Sequence, residues 1–265
     1  MEVLEKLYYA PRIESTQTQL IQFFQKGIAT NQYGIYSFNQ TKGKGQGNHS
    51  WDMGPEDGLA ISLGFKISSK HETFDWVAIN KHITTLICTY LQRHCEEPLF
   101  IKWPNDLLCQ DKKLAGILMQ VLPFQEAPEI ISNKINSENH DKLFILGIGI
   151  NMNPTESENA ENIEKRISLN QINSFKIEDL HQFGQSLAEF IFERALNIPR
   201  ETEKIHHYFE QSLWRFSELV NVQISMPKPE IYQALFKGVD QNGRAILEID
   251  GEILAFQHGD ARILY

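Results

Sequence analysis

At 265 residues the chain holds one sizeable domain with a small appendage, and not several large domains. It is 42% hydrophobic and 22% charged, the make-up of an ordinary globular protein, and a formal net charge of -9 argues against a nucleic-acid partner, which a positive field would attract. No apolar run approaches the ~20 residues of a bilayer span, and Met1–Lys6 lacks a basic stretch leading into an apolar core. The expected setting is therefore the cytoplasm, with no membrane partner. Cys88, Cys95 and Cys109 are odd in number, have no C-x-x-C spacing and no clustered His, and read as buried reduced thiols.

Along the chain, a short apolar element spans Val3 to Tyr9. Ser15 stands where an N-cap belongs, ahead of Leu20, Ile21, Phe23 and Phe24, with Gly27 placed to stop the helix. Tyr33–Phe38 alternates and predicts a strand, a glycine-dense stretch runs from Gln40 to about Asp57, and Leu59–Ile67 predicts the next strand. Apolar positions from Phe74 to Cys95 recur at helical spacing. Strands are predicted at Leu99–Lys102, Leu107–Cys109, Leu114–Val121 and Leu143–Ile150, with a hairpin turn at Gln110-Asp111-Lys112 and a mobile polar insert from Gln125 to Asp141. Helical patterns at Ile177–Asn197 and Glu201–Ser217 close a larger domain, residues 1–218. From Leu219 short strands follow, joined by Gln241-Asn242-Gly243 and Asp250-Gly251, so residues 219–265 predict a small β-barrel. The fold class is α+β: a mixed sheet with flanking helices, then a barrel.

Four stretches carry candidate chemistry. In Gln40-Thr41-Lys42-Gly43-Lys44-Gly45-Gln46-Gly47-Asn48-His49-Ser50-Trp51 the alternate glycines allow successive N–H groups to face one anion, with lysines adding charge. The spacing is neither a Walker A motif nor G-x-G-x-x-G, and the same composition suits a flexible surface loop. In Lys102-Trp103-Pro104-Asn105-Asp106 the proline breaks the strand and would aim Asn105 and Asp106 off the sheet edge, to hold ligand hydroxyls or a magnesium ion, or simply to form an Asx-turn. Lys113-Leu114-Ala115-Gly116-Ile117-Leu118 sets a lysine beside a strand glycine, where a ligand could approach the backbone and the lysine bridge a carboxylate and a phosphate; a solvated strand end is the alternative. In Gly147-Ile148-Gly149-Ile150-Asn151-Met152-Asn153-Pro154 both glycines share a face and leave a slot that no side chain fills, with Asn151 on that face, unless the strand is simply close-packed. No G-x-S-x-G or Ser-His-Asp set stands out, and the nine His are scattered.

In this order and with these gaps, the four stretches resemble the biotin–protein ligase family over roughly residues 13 to 154, with Ser15-Thr16 ahead of them. The resemblance implies a catalytic domain like those of lipoate ligases and class II synthetases, with an SH3-like C-terminal barrel. It implies biotin as substrate, ATP and Mg²⁺, and a biotin carboxyl carrier domain as acceptor. Ser15, Thr16 and Gln40 would bind the ureido end of biotin, and Gly116 would line its ring pocket. Lys44, with Gly43, Gly45, Gln46 and Trp51, would close over the adenylate as a lid and also touch biotin through Lys44. Lys113 would contact the biotin carboxylate and the α-phosphate, Asn105 and Asn151 would face the nucleotide, and Asp106 would orient the acceptor amine or hold the metal. Glu14, Gln17, Lys44 and Gln46 depart from the family's usual Asp, Asn, Arg and second Arg. Lysine keeps the charge at 44 without the planar fork of arginine. An adenine-stacking segment is expected between Glu156 and Leu169. Residues ahead of 13 are too few for a helix-turn-helix, so repressor activity is not expected, while a homodimer through a sheet edge is compatible with the family. Competing readings are a lipoate or octanoate ligase on the same fold, a non-catalytic nucleotide-binding regulatory module and, third, a nucleic-acid binder.

Overall fold

In the computed structural model the described residues are 6–47, 49–51, 53–54, 57–67, 75–124, 141–154, 165–197, 202–225 and 228–265. Among them the elements run β1 (Leu7–Tyr9), α1 (Thr16–Gln25), β2 (Gln32–Ser37), β3 (Gly43–Lys44), β4 (Ser50–Trp51), β5 (Gly58–Ile67), α2 (Trp76–Gln92), β6 (Leu99–Lys102), β7 (Asp106–Cys109), β8 (Lys112–Pro123) and β9 (Lys142–Asn151). There follow α3 (Leu169–Ile172), α4 (Leu180–Arg194), α5 (Thr202–Gln211), β10 (Leu219–Ile224), β11 (Glu230–Val239), β12 (Ala245–Ile249), β13 (Glu252–Phe256) and β14 (Ala261–Ile263). The expected insert falls on residues 125–140, which lie outside the described residues, as does most of the expected adenine segment, 155–164.

The helices begin where side chains replace missing backbone acceptors. Ser15 Oγ accepts from Thr18 N, Asp75 from Val77 and Ala78, and Asp179 from Gln182. Gly27 follows α1 at φ +69, as expected of a helix stop. The third helix, α3, follows the expected adenine segment, where the sequence predicts no element.

A seven-stranded sheet runs in the order β1-β2-β5-β9-β8-β7-β6. Only β1 and β2 are parallel, which makes it mixed, as expected. β5 and β9 are buried almost throughout because both faces are covered. On one face α1 lays Phe24 over Gly64 and Ile145. On the other, α2 and α4 bring Trp76 against Phe144 and Phe192 against Phe65. The large core lies on this second face, so the first is free for a site beyond the end of α1.

The C-terminal strands form a separate antiparallel sheet in the order β13-β12-β11-β10-β14. Both predicted turns are present: Gly243 has φ +78, and Asp250 and Gly251 have φ 51 and 84, the type I′ pattern. The sequence predicts a barrel here; the pairing is that of a five-stranded sheet, with β13 and β14 at its edges. Buried Lys81 ties this sheet to α2 by donating to the carbonyls of Val239 (3.3 Å) and Asp240 (2.7 Å), and Trp103 Nε1 donates to Gly243 O at 3.0 Å. Cys88, Cys95 and Cys109 are free and buried. No helix among the described residues is long and apolar enough to cross a membrane.

Candidate active site

Strand register lays small residues side by side. Ser37 pairs with Ala60, Ala60 with Gly149, Gly149 with Gly116, and Gly116 with Asp106, forming one lateral row across β2, β5, β9, β8 and β7. The neighbouring row on the same face carries Ser62, Gly147 and Leu118. With so few side chains standing on it, this part of the sheet is a trough. It opens into a cavity of about 480 Å³, walled on the far side by Gln223, Ser225, His258 and Arg262 from the C-terminal sheet and its flanking loop.

One end of the trough is polar and internally bonded. Gln40 Oε1 accepts from Thr16 N (2.8 Å) and Thr16 Oγ1 (3.1 Å), and Thr16 Oγ1 lies 2.9 Å from Ser62 Oγ. Ser15 Oγ serves as cap acceptor, which leaves its hydrogen to donate. Gln17 Nε2 donates to Gln120 Oε1 at 2.9 Å while its own Oε1 lies over Gly147. Ser15, Thr16, Gln17, Gln40 and Ser62 are all buried on the cavity lining.

The slot expected above the strand glycines is occupied. A carbon added at Gly149 would fall within the Trp51 indole, and one at Gly116 would meet Trp51 at 3.0 Å and the Lys113 amine at 3.3 Å. Trp51 thus roofs the middle of the trough, and glycine is required beneath it. Its Nε1 is buried with no hydrogen-bond partner among the described residues.

At the other end a β-bulge aims the key cation. Pairing passes from Leu107↔Ala115 to Leu108↔Lys113, so Leu114 is the extra residue in β8. In a regular strand residues 113 and 116 would face opposite sides; the added residue turns Lys113 onto the same face as Gly116. There Lys113 Nζ meets Asp106 Oδ1 at 2.6 Å. The backbone of Lys113 is fixed from outside: its N donates to Lys165 O (2.8 Å) and its O accepts from Ile167 N (3.0 Å).

Several expectations need correction. Asn151 is not on the cavity lining; its amide donates to Lys113 O (2.9 Å) and Ile167 O (3.2 Å) and so braces the strand. Gly43 also lies off the lining, packed between Trp51 O and the Gln40 amide. Asn105 is buried on the wall, but its amide donates to Ile117 O, and Asp106 lies within β7; neither projects off a sheet edge. The glycine loop is a small hairpin, β3 against β4, in which Gly45 N is spent on His49 O at 2.8 Å, so these amides do not form a nest. Lys44, Gly45 and Gln46 do reach the lining.

Sequence reasoning missed much of the charge. Lys102, Lys165, Arg166 and Arg262 join Lys44 and Lys113 on the lining, where among the described residues Asp106 supplies the single acidic side chain. Burial pushes Lys102 down to about 7, with Asp106 opposing and Arg262, Lys113 and Lys165 adding to the drop. Burial also lowers His258, which lies 5.9 Å from the Trp103 ring. A protein of net charge -9 therefore gathers cations in one cavity, and the cavity suits a polyanion. For a metal the donor set is sparse: among the described residues Asp106 is the one acidic side chain on the lining, and no three His, Cys, Asp or Glu gather. Such a set fits magnesium, which keeps its waters and binds through one or two carboxylates plus substrate phosphates.

Residues 9–133 match the model of the biotin/lipoate A/B protein ligase family. The biotin–protein ligase of Schizosaccharomyces pombe is 26% identical over 233 residues, covering 84% of this chain and 33% of the yeast protein. The bifunctional ligase/repressor BirA of Escherichia coli is 25% identical over 232 residues, covering 83% of this chain and 63% of that protein. The chain thus spans about a third of the first relative and less than two thirds of the second. The solved structure of the Aquifex aeolicus biotin protein ligase, in complex with biotin and ATP, superposes with a TM-score of 0.70 at 20% identity, covering 98% of this chain and 99% of that one. That likeness shows a shared fold. Over residues 9–133, just under half of its length, the chain is similar to the biotin/lipoate A/B protein ligase family.

Proposed function

We propose that this chain is a biotin–protein ligase, which joins biotin to ATP as biotinyl-5′-AMP and passes the biotinyl group to a lysine of a biotin carboxyl carrier domain. The observation that carries the reading is the polarity of the trough: a closed, neutral, hydrogen-bonding end, a tryptophan-roofed middle, and a cationic end. A molecule with a polar head, an apolar body and a carboxylate tail fits that order. Ser15, Thr16, Gln17, Gln40 and Ser62 would hold the ureido head, Trp51 and Gly116 would sandwich the ring, and the carboxylate would end at Lys113.

In the first step a carboxylate oxygen attacks the α-phosphorus, forming a C–O–P mixed anhydride as the bond to the β-phosphate breaks and pyrophosphate leaves. Two anions must approach, and cations fixed in a low-dielectric cavity offset their repulsion without reorganising. Lys113 stands where both would meet, with Lys102, Arg166 and Arg262 along the wall. Magnesium, held by Asp106 and the phosphates, would neutralise further charge. The 43–51 hairpin, with Lys44 and Trp51, would shield the anhydride from water. In the second step the acceptor lysine's amine attacks the acyl carbon, the C–N bond forms as the C–O bond to AMP breaks, AMP departs, and the amine loses a proton, which Asp106 on the lining could accept.

Incubation with ATP, Mg²⁺ and biotin, followed by mass spectrometry, should yield biotinyl-5′-AMP. Formation of a lipoyl or octanoyl adenylate instead would transfer the assignment to the lipoate branch of the same family. No acyl-adenylate from any of the three acids would refute it.

A further inference from the structure

Lys102 is 5% exposed, the most deeply buried cation of the cavity wall. Among the described residues its ammonium makes no hydrogen bond or ion pair to a carboxylate or carbonyl; it packs against rings, with Asp106, Arg262, Lys113 and Lys165 as its charged neighbours. Nζ lies 3.5 Å from the Tyr265 ring centroid and 5.9 Å from that of Trp214, and the two rings are 6.1 Å apart. Trp214 is fixed in turn by a 2.6 Å hydrogen bond from its Nε1 to Asp111. Tyr265 reaches the site because β14 pairs with β10 at the edge of the C-terminal sheet.

We propose that Tyr265 is a positioning residue: its ring, backed by Trp214, holds the Lys102 ammonium on the cavity wall for the phosphates of the nucleotide. This rests on the function proposed above and adds a role for the C-terminal segment in the first half-reaction. The chemistry favours a ring over an acid here. A carboxylate would orient the lysine but would compete with, and repel, an incoming phosphate. An aromatic face attracts the cation through its quadrupole and leaves the full charge for the ligand. Lys113, by contrast, is already engaged with Asp106.

Inorganic triphosphate, titrated calorimetrically, reads affinity without requiring any biotin chemistry. Y265L should bind triphosphate roughly five- to thirty-fold more weakly, the loss of one desolvated cation–π contact, while Y265F, which keeps the ring, restores the affinity. In the double variant K102M/Y265L the loss should equal that of K102M alone, which a general structural effect of Tyr265 would not produce. Unchanged affinity in Y265L, failure of Y265F to rescue, additive losses in the double variant, or no triphosphate binding by the wild type would each overturn the proposal. Wild-type protein that binds triphosphate through Lys102 and Tyr265 yet forms no biotinyl-5′-AMP would sink the proposed function and leave this inference standing.

Discussion

The two ends of the trough are built on opposite principles. At the polar end every named group answers another: Thr16, Gln40 and Ser62 close a hydrogen-bonded set, and Gln17 is tied to Gln120. At the cationic end the charges are in excess: among the described residues one acidic side chain stands among several lysines and arginines, and Lys102 packs against rings. Buried polar groups that satisfy each other give a rigid, neutral shape. Buried cations that do not are destabilising until an anion arrives. The first end is thus ready to recognise a shape, and the second is ready to bind a charge.

The largest effect should come from Lys113→Ala, which removes the cation at the junction of the two ends. Biotin-dependent ATP–pyrophosphate exchange should fall by roughly 10²–10³-fold with the thermal transition retained, and normal exchange would mean that Lys113 has been given the wrong role. Gly149→Ala comes next. A methyl there displaces Trp51, and a loss of roughly thirtyfold in kcat/KM for biotin is expected, somewhat below the ~10²-fold cost of a 1 Å misplacement. Thr16→Val removes the hydroxyl's contacts to Ser62 and Gln40, at the polar end only, and keeps the backbone bond to Gln40; KM for biotin should rise about tenfold while KM for ATP stays put, measured by steady-state exchange. Equal effects on both substrates would merge the two ends into one.

The smallest effect is on stability. Lys102 drops from 10.5 to about 7 on folding, so between those pH values the unfolded chain binds more protons than the folded one. Its contribution to stability is therefore complete above 10.5 and is lost as the pH falls through about 7. Relative to K102M, the Tm of the ligand-free wild type should rise by roughly 10 °C across that interval, and parallel curves would show that Lys102 carries no such burden.

What could be read in advance follows the same division. Strand positions, the stops at Gly27 and the two C-terminal turns, and the N-cap at Ser15 are local, and local chemistry announced them. Lys113 and Gly116 were visible as a pair, but their shared face depends on the bulge at Leu114, which no periodicity reveals. Gly147 and Gly149 suggested an open slot, whereas register places Trp51, from a distant loop, on top of Gly149. Asn151 looked like a ligand because its strand face was right; only the return of residues 165–167 alongside Lys113 shows what its amide holds. Lys102, Lys165, Arg166 and Arg262 come from separate segments, and their convergence is a property of the fold alone.

The most direct measurement is biotin-dependent exchange of radiolabelled pyrophosphate into ATP, run beside the same assay with lipoate and octanoate. A polar-ended trough leading to a cationic one predicts exchange that requires biotin and is not supported by either aliphatic acid. Exchange driven equally by octanoate would show that the polar end selects nothing, and absence of exchange with every acid would show that the two anions never meet there.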